Sequence, residues 1–294
     1  MRYNITHTTT YDYSETVSVS HHIARLHPRS LSRQNCLWHE LIIDPAPAVT
    51  SEFFDYFGNS VTFFAMQGAH EKLNLHSRSE VDVAVAMAPL AAVTSPWETV
   101  RDRFGSDLDA ATLEAHEFCF DSTLIKTNAE FAGYAAASFP ARRPLLEAVI
   151  DLTWRIHQDF TFDPKATTVA TPLDEVFRTR RGVCQDFAQF QIACLRSLRL
   201  PARYVSGYLE TKPAPNRPRL VGAAASHAWV SVFSPGAGWI DVDPTNNLVP
   251  ANRHITLAWG RDYSDVSPLR GVILGGGKHS LKVAVDVAPQ NTEG

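Results

Sequence analysis

The stretch Arg180-Arg181-Gly182-Val183-Cys184-Gln185-Asp186-Phe187-Ala188 decides the fold, because a glycine-led turn ends there and a helix begins. Apolar residues recur at helical spacing from Phe187 to Leu198, and Pro201 ends the helix. Cys184 is thus predicted in the first helical turn, where unsatisfied N–H groups and the helix dipole favour negative charge. A thiol at such a position is stabilised as a thiolate, which is the nucleophilic form of cysteine.

Two segments downstream of the cysteine have the pattern of short strands and carry a histidine and two aspartates. Ser226-His227-Ala228-Trp229-Val230 puts the histidine near a strand end, and Gly238-Trp239-Ile240-Asp241-Val242-Asp243-Pro244-Thr245 ends its ladder pairing at the proline. Strand periodicity puts Asp241 and Asp243 on one face, so alternation does not choose between them. A thiol, an imidazole and a carboxylate are the three groups that acyl transfer through a thioester requires.

The rest of the sequence predicts two domains with a boundary near residue 90. Residues 1–90 predict an antiparallel β domain with strands at Tyr3 to Tyr13, Val17 to Leu26, Cys36 to Ile43, Val61 to Met66 and Leu73 to Val85. Residues 91–294 begin with helical segments from Ser95, over Leu108 to Phe120 and over Pro144 to Phe160. After the cysteine helix, strands are predicted at Ala202 to Glu210, His227 to Phe233, Trp239 to Asp243 and Ser280 to Val287, with a Pro-rich loop at Lys212 to Arg219. Helices followed by a sheet predict an α+β second domain.

Composition and charge favour a soluble globular protein without a polyanionic partner. The 294 residues are 45% hydrophobic and 20% charged, and the formal net charge is −4 with Lys and Arg scattered along the chain. The first residues contain no apolar signal-peptide region, and the apolar run Val83 to Val93 is too short to span a membrane. Cysteines at positions 36, 119, 184 and 194 lack metal or disulfide spacing, which suits a reducing compartment. We therefore expect a cytoplasmic protein that binds neither nucleic acid nor membrane; the sequence does not indicate an oligomeric state.

Three motifs together resemble the transglutaminase-like superfamily, which shares its core with papain-like cysteine proteases. They are Gly-Val-Cys-Gln-Asp-Phe-Ala at 182–188, His-Ala-Trp-Val at 227–230 and Gly-Trp-Ile-Asp-Val-Asp-Pro-Thr at 238–245. Residues 3–11 with 21–28, and residues 260–266, are similar to the N-terminal β domain and the post-core segment of bacterial transglutaminase-like proteins. The resemblance implies a papain-like α+β core, with its motifs within residues 160–250, preceded by an N-terminal antiparallel β domain.

The resemblance also assigns roles to individual residues. It implies Cys184 as the nucleophile, His227 as the general base, and Asp243, in the Asp-Pro-Thr signature, as the carboxylate that orients the imidazole. The implied substrate is a peptide or protein, attacked at a Gln carboxamide or a peptide bond, and the thioester is resolved by water or an amine. Neither a cofactor nor a metal is implied. Crosslinking members often carry an aromatic residue after the cysteine, whereas Gln185 stands here, so hydrolysis is favoured over crosslinking.

Further residues are candidates for the cleft or for the oxyanion site. Gln185 and Asp186 follow the nucleophile, although an acid such as Asp186 also suits the first turn of a helix. Trp229 and Trp239 are expected to form the cleft wall or to fill core. The backbone N–H of Cys184 is the natural first donor to an oxyanion, and residues 160–163 are a comparable region for a second donor.

Other interpretations stay open at this point. Cys194 lies on the inner face of the cysteine helix, which predicts a packing role. His227 with Asp241 and Asp243 could bind a metal, although no further ligand stands at a useful spacing. A catalytically silent peptide-binding module would use the same cleft. A peptide ligase or trimming enzyme for a short dedicated substrate would differ only in the acyl acceptor.

Overall fold

A single long strand, β1 (Arg2–Ala24), organises the N-terminal sheet of the computed structural model, which describes residues 1–85, 90–104, 109–210 and 226–290. Four further strands follow it: β2 (Gln34–Asp44), β3 (Val49–Phe54), β4 (Ser60–Met66) and β5 (His70–Val83). They pair antiparallel in the order β2-β5-β1-β4-β3. The predicted N-terminal antiparallel β domain is therefore confirmed.

Two details of this sheet differ from the sequence prediction. The predicted strands Tyr3 to Tyr13 and Val17 to Leu26 form one strand, because a register shift between Asp12 and Val17 absorbs the intervening polar residues without ending the ladder. The sequence does not predict β3. All residues of β3 are exposed, so no buried alternation marks it as a strand.

Helices occupy the chain between this sheet and the cysteine. They are α1 (Trp97–Arg103), α2 (Ala110–His116), α3 (Ala129–Ala136), α4 (Leu145–Asp159) and α5 (Leu173–Thr179). The helical spacing from Leu108 to Phe120 corresponds to α2 and a short 3-10 turn, while Leu108 itself lies outside the described residues. The sequence misses α3 and α5, which span only 8 and 7 residues. In the described parts of the chain, no helix combines the length and apolar character that crossing a membrane requires.

Two very short strands fix the segment that precedes the cysteine. They are β6 (Thr161–Phe162) and β7 (Arg181–Gly182), and they pair in parallel. The Thr161 N–H donates to the carbonyl of Arg180 at 2.8 Å, and the Asp163 N–H donates to that of Gly182 at 2.8 Å. This pairing holds residues 160–163 beside the turn that carries the thiol.

The cysteine helix, α6 (Cys184–Ser197), packs on a four-stranded antiparallel sheet. Its strands are β8 (Ala202–Leu209), β9 (His227–Ser234), β10 (Gly238–Val242) and β11 (His254–Gly260), in the order β10-β9-β8-β11. The α+β core is thus confirmed, and Cys194 is buried on the inner face of α6 as the periodicity predicts. The sequence misses β11, and the Pro-rich loop predicted at 212–219 lies outside the described residues.

The C-terminal strands return to the first sheet. After the short helix α7 (Tyr263–Val266), strands β12 (Leu269–Gly275) and β13 (His279–Pro289) both pair antiparallel with β1. The strand predicted at Ser280 to Val287 therefore belongs to the N-terminal sheet and not to the core sheet. Its alternation marks a strand but carries no information about the partner strand. The division into two domains near residue 90 stays a prediction.

Side chains from the N-terminal part cover the outer edge of β11. The Gln34 amide donates to the carbonyl of Thr256 at 2.8 Å and accepts the Thr256 N–H at 2.7 Å. Asn59 makes the same reciprocal pair with the backbone of Trp259, at 2.8 and 2.9 Å. An uncovered edge strand exposes unpaired backbone groups, and these two amides occupy them in place of a neighbouring strand. The N-terminal part is thereby fixed to the core sheet.

Gln34→Ala should lower the free energy of unfolding by roughly 1–3 kcal/mol, because it leaves the buried Thr256 N–H without a partner. The Thr256 carbonyl keeps the Arg29 N–H, at 3.1 Å, so the loss is confined mainly to one group. Urea unfolding measures the change, and Gln67→Ala at an exposed position is the matched control. Equal stability of the two variants would contradict a structural role for the Gln34 contact.

Candidate active site

A buried carboxylate fixes the turn before α6. Asp186 is only 2% exposed and accepts the Val183 N–H at 2.8 Å and the Thr167 hydroxyl at 2.6 Å. A Cβ on Gly182 would lie 2.6 Å from the same carboxylate oxygen, so glycine is required there. Burial raises the pKa of Asp186 despite its hydrogen bonds. Asp186 therefore supports the turn that carries Cys184 and does not line the cleft, contrary to the prediction.

Cys184 is the first residue of α6 and opens into a cleft of about 660 Å³. Gln185, Tyr204, His227 and Asn246 lie on the wall of this cleft. The N-terminus of a helix favours anions, since its first N–H groups have no partner within the helix. Both the thiol and the Cys184 N–H are thus at the site where an acyl group would be held.

His227 and Asp243 form a short charge-assisted contact next to the thiol. The distance from His227 Nε2 to Asp243 Oδ2 is 2.7 Å. Asp243 lies just beyond β10 and is fully buried, and its Oδ1 accepts the N–H groups of Thr245 and Asn246 at 3.0 and 3.2 Å. Because Nε2 of His227 faces the carboxylate, Nδ1 is the ring nitrogen available to Cys184.

The two aspartates that strand periodicity leaves equivalent have different partners. Asp243 contacts His227, whereas the carboxylate of Asp241 forms an ion pair with Arg33 from the N-terminal part. The chain turns after Val242, and this turn brings Asp243 to the histidine. The structure therefore joins Cys184 and His227 to Asp243 and not to Asp241.

A second histidine, which the sequence analysis misses, contacts the same carboxylate oxygen. His254 Nε2 lies 2.9 Å from Asp243 Oδ2, and the Asn246 amide donates to that oxygen at 2.8 Å. His254 is 2% exposed and meets the ring of Trp229 edge to face, with centroids 5.0 Å apart. His254 starts β11, and no motif around it signals this contact. Only the pairing of β11 with β8 brings it to the site.

Burial and neighbouring charges shift the pKa values of His227, Asp243 and His254. Burial lowers the pKa of His227, but its hydrogen bonds with Asp243 and Cys184, and the negative charge of both, outweigh burial and raise the pKa to about 10. Burial by itself would raise the pKa of Asp243, yet the hydrogen bonds from His227 and His254 hold it well below its usual range. Burial lowers the pKa of His254, which favours its neutral form. The arrangement holds a protonated imidazole between the carboxylate of Asp243 and the side chain of Cys184.

A metal could be considered at this cluster, but with different residues from those the sequence suggests. Among the described residues, the atoms of His227, Asp243 and His254 that could ligate a metal lie within 4.8 Å of one another. Asp241, the other carboxylate of the sequence-based metal interpretation, is paired with Arg33 instead. Both imidazole Nε2 atoms are hydrogen-bonded to one carboxylate oxygen, so the cluster is connected as an acid–base chain.

The two tryptophans predicted for the cleft wall lie elsewhere. Trp229 is fully buried behind His227, across Gly207, where a Cβ would come within 2.6 Å of the indole. Trp239 lines a separate cavity together with Arg203. Both side chains lie on the sheet face that carries Arg203 and Val205, because Trp229 pairs with Val205 and Trp239 pairs with Phe233 in the antiparallel registers. Of the four predicted cleft residues, Gln185 alone lines the cleft.

In the predicted region for a second oxyanion donor, the backbone N–H groups of two residues are engaged. Those of Thr161 and Asp163 are hydrogen-bonded to residues of the nucleophile turn. An oxyanion needs a donor that keeps its proton, and the buried phenol of Tyr204 lies on the cleft wall. Burial first, and the charge of Cys184 second, raise the pKa of Tyr204 well above its usual value, so its hydroxyl keeps its proton.

Two family models match the chain. The bacterial transglutaminase-like N-terminal region matches residues 3–82, and the transglutaminase-like superfamily matches residues 134–244. The second match contains Cys184, His227 and Asp243 and ends before Asn246 and His254.

Similar proteins come from several bacteria. An uncharacterized protein of Mycobacterium tuberculosis is 42% identical over 98% of this chain and 93% of its own length. A protein-glutamine gamma-glutamyltransferase of Pseudomonas aeruginosa is 40% identical over 38% of this chain, which is 18% of that protein. A crystal structure from Cytophaga hutchinsonii, described as a candidate cysteine protease, superposes with a TM-score of 0.77 at 24% identity, covering 100% of this chain and 92% of that one. At this identity the structural likeness concerns the fold.

The raised pKa of His227 predicts a pH dependence of stability. A group whose folded pKa is raised contributes its full stabilisation below its unfolded pKa of 6.5 and loses it as the pH rises towards about 10. The free energy of unfolding should therefore fall across this window, and His227→Gln should flatten the fall. Urea unfolding at a series of pH values measures both slopes, with the exposed His21→Gln as control. Identical slopes for His227→Gln and the unchanged protein would contradict the charge arrangement.

Proposed function

Because the chain belongs to the transglutaminase-like superfamily and carries a bacterial transglutaminase-like N-terminal region, we propose that it is an enzyme of thiol-dependent acyl transfer acting on peptide or protein amides. One observation carries the proposal for this chain. His227 lies 2.7 Å from the buried carboxylate of Asp243 and is hydrogen-bonded to Cys184 at the start of a helix. Nucleophile, base and orienting group are then in one connected series.

The reaction proceeds in two halves. The thiolate of Cys184 attacks the carbonyl carbon of a Gln carboxamide or a peptide bond, and the carbonyl oxygen becomes an oxyanion that accepts the Cys184 N–H. Protonated His227 gives its proton to the departing nitrogen, which leaves as ammonia or an amine, and a thioester remains. Water or an amine then adds to the thioester, His227 takes up its proton, and the thiolate is released.

Three side chains support this chemistry without taking part in bond formation. Asp243 stays ionised and holds the imidazole through Nε2, while His254 and Asn246 hold the carboxylate. A carboxylate that accepts several hydrogen bonds retains its charge in a buried site. Tyr204, which lines the cleft together with Cys184 and keeps its proton, is our candidate for the second oxyanion donor.

Water is the acceptor that we favour. Gln185 follows the nucleophile, where crosslinking members often carry an aromatic residue, and it lies on the cleft wall. The similarity to a protein-glutamine gamma-glutamyltransferase over 120 residues supports a glutamine carboxamide as one substrate class. A peptide ligase or trimming enzyme would use the same series of residues with another acceptor. We propose a cytoplasmic location on the evidence of cysteine usage.

A silent peptide-binding module is the rival from another class, and thiol reactivity separates it from an enzyme. Iodoacetamide should modify Cys184 at neutral pH at least about ten times faster than Cys36 or Cys119, because Cys184 lies at a helix N-terminus and is hydrogen-bonded to His227. Burial raises the pKa of Cys36 and raises that of Cys119 to about 12, so these two thiols are internal references. His227→Gln should remove the difference. Site-resolved mass spectrometry measures it, and equal rates in the unchanged protein would favour the silent module.

The acceptor can be read from product masses. Incubation with a peptide pool and monodansylcadaverine should give products of water addition in excess over amine addition, and none with Cys184→Ala. Asp243→Asn should lower the rate by roughly 10²–10⁴-fold, since the imidazole loses its orienting charge. Asp151→Asn, at a partly exposed ion pair with Arg143, is the matched control. If amine products predominate, the proposed acceptor is an amine and not water. Unaltered activity of Asp243→Asn would refute Asp243 as the carboxylate that orients the imidazole.

A further inference from the structure

A second cavity, of about 510 Å³, lies between the N-terminal part and the core sheet. We call it the rear cavity and define it by Leu31, Arg33, Arg203, Trp239, Asp241 and Trp259 on its wall. It is separated from the catalytic cleft by the thickness of β8. Arg203 and Val205 of that strand line the rear cavity, whereas Tyr204 and Ser206 line the cleft, as strand alternation requires.

The rear cavity contains a buried cation that has no hydrogen-bonding partner among the described residues. Arg203 is 6% exposed, and its guanidinium lies between two indoles, with ring centroids at 4.1 Å for Trp239 and 3.7 Å for Trp259. Within the described residues, the guanidinium donates no hydrogen bond, and its Nε is completely buried without a partner. Burial lowers the pKa of Arg203 to about 9, so the group stays charged at neutral pH. A buried, charged guanidinium is costly unless acceptors reach it.

Another buried arginine shows what a purely structural role looks like in this protein. Arg196 is 1% exposed and donates to the carbonyls of Ala202, Arg261 and Phe120, at 2.7 to 3.2 Å. These carbonyls saturate its fork of donors. Arg203 instead has an indole against its guanidinium at two places and lines an open volume, so a ligand there could supply the acceptors that carbonyls supply to Arg196.

The charges around the rear cavity select one class of ligand. The wall carries two cations, Arg33 and Arg203, and one carboxylate, Asp241, which is paired with Arg33 and whose charge also acts on Arg203, so these three groups leave a net charge of +1. A carboxylate is a monoanion whose two oxygens match the guanidinium fork, whereas a phosphate dianion would leave an excess negative charge beside Asp241. Leu31, Ile240 and Val249 on the wall offer apolar surface for the body of such a ligand.

We propose that the rear cavity binds a carboxylate carried on an apolar body, with Arg203, held against Trp239 and Trp259, as its bidentate partner. The carboxylate comes either from a free organic acid or from the carboxyl terminus of a peptide. Because Leu31 and Arg33 follow β1 and the other residues belong to the core sheet, the ligand contacts both parts of the molecule. It would therefore stabilise their junction, in addition to the amide contacts on β11.

The experiment uses the full chain with Cys184→Ala, so that binding is measured without turnover and independently of the proposed reaction. Tryptophan fluorescence is titrated with hexanoate and with its neutral isostere hexanamide. Hexanoate should bind with a dissociation constant of roughly millimolar order, and hexanamide at least tenfold more weakly. Arg203→Met should weaken hexanoate binding at least tenfold, Arg203→Lys less, and Asp241→Asn should strengthen it. Arg101→Met, at an exposed arginine over the ring of Trp97, is the matched control.

Two further arms fix the source and the chemistry of the ligand. An N-acetylated dipeptide ending in leucine is compared with its C-terminal amide, and tighter binding than hexanoate would identify a peptide terminus as the source. Inorganic phosphate that binds more tightly than either carboxylate would overturn the proposed class. If Arg203→Met does not fold, the hexanoate affinities of Arg203→Lys and Asp241→Asn still test whether Arg203 binds the carboxylate. Unchanged hexanoate affinity in the Arg203 variants, or equal affinity for hexanoate and hexanamide, would overturn the site.

Discussion

The active site depends on one fully buried carboxylate. Asp243 accepts hydrogen bonds from His227, His254 and the side chain of Asn246 on one oxygen, and from two backbone N–H groups on the other. A buried charge is tolerated only when it is paired and hydrogen-bonded, so the Asp243 carboxylate needs these donors around it. The sheet order β10-β9-β8-β11, antiparallel throughout, brings the donors to the carboxylate. It puts the end of β10 and the starts of β9 and β11 at one end of the sheet.

The N-terminal part supports this site although the described cleft residues include none from it. Gln34 and Asn59 cover the outer edge of β11, the strand that starts with His254. Buried apolar residues of β1, β5 and β13 also belong to the same hydrophobic core as those of α6. The position of the second histidine therefore depends on contacts more than 190 residues apart in sequence. Because these contacts join residues that are far apart in the sequence, a short motif can be recognised in the sequence while the residues that hold it in position cannot.

Strand β8 separates two chemically different spaces. On one face, Tyr204 lines the cleft with Cys184, and burial first and the charge of Cys184 second raise the pKa of its phenol. On the other face, Arg203 lies between two indoles with unused donors. The alternation of side chains in a strand makes this division unavoidable, because neighbouring residues must point to opposite sides. One strand can thus serve a reaction on one side and a binding site on the other.

Local patterns in the sequence determined the elements and motifs that need only neighbours in the chain: the start of α6 at Cys184, its inner face with Cys194, the strands β8 to β10, and the candidate nucleophile and base. Periodicity could not choose between Asp241 and Asp243, since both lie on one face, and family resemblance favoured Asp243. Only the tertiary structure decided which groups meet: Asp241 pairs with Arg33, Asp186 accepts hydrogen bonds at its own helix start, Trp229 and Trp239 lie outside the cleft, and His254 contacts Asp243. The C-terminal strand likewise joins β1 and not the core sheet. The physical reason is that alternation and helical spacing report which side of an element is buried, whereas the partner on that side is set by strand pairing across the whole chain.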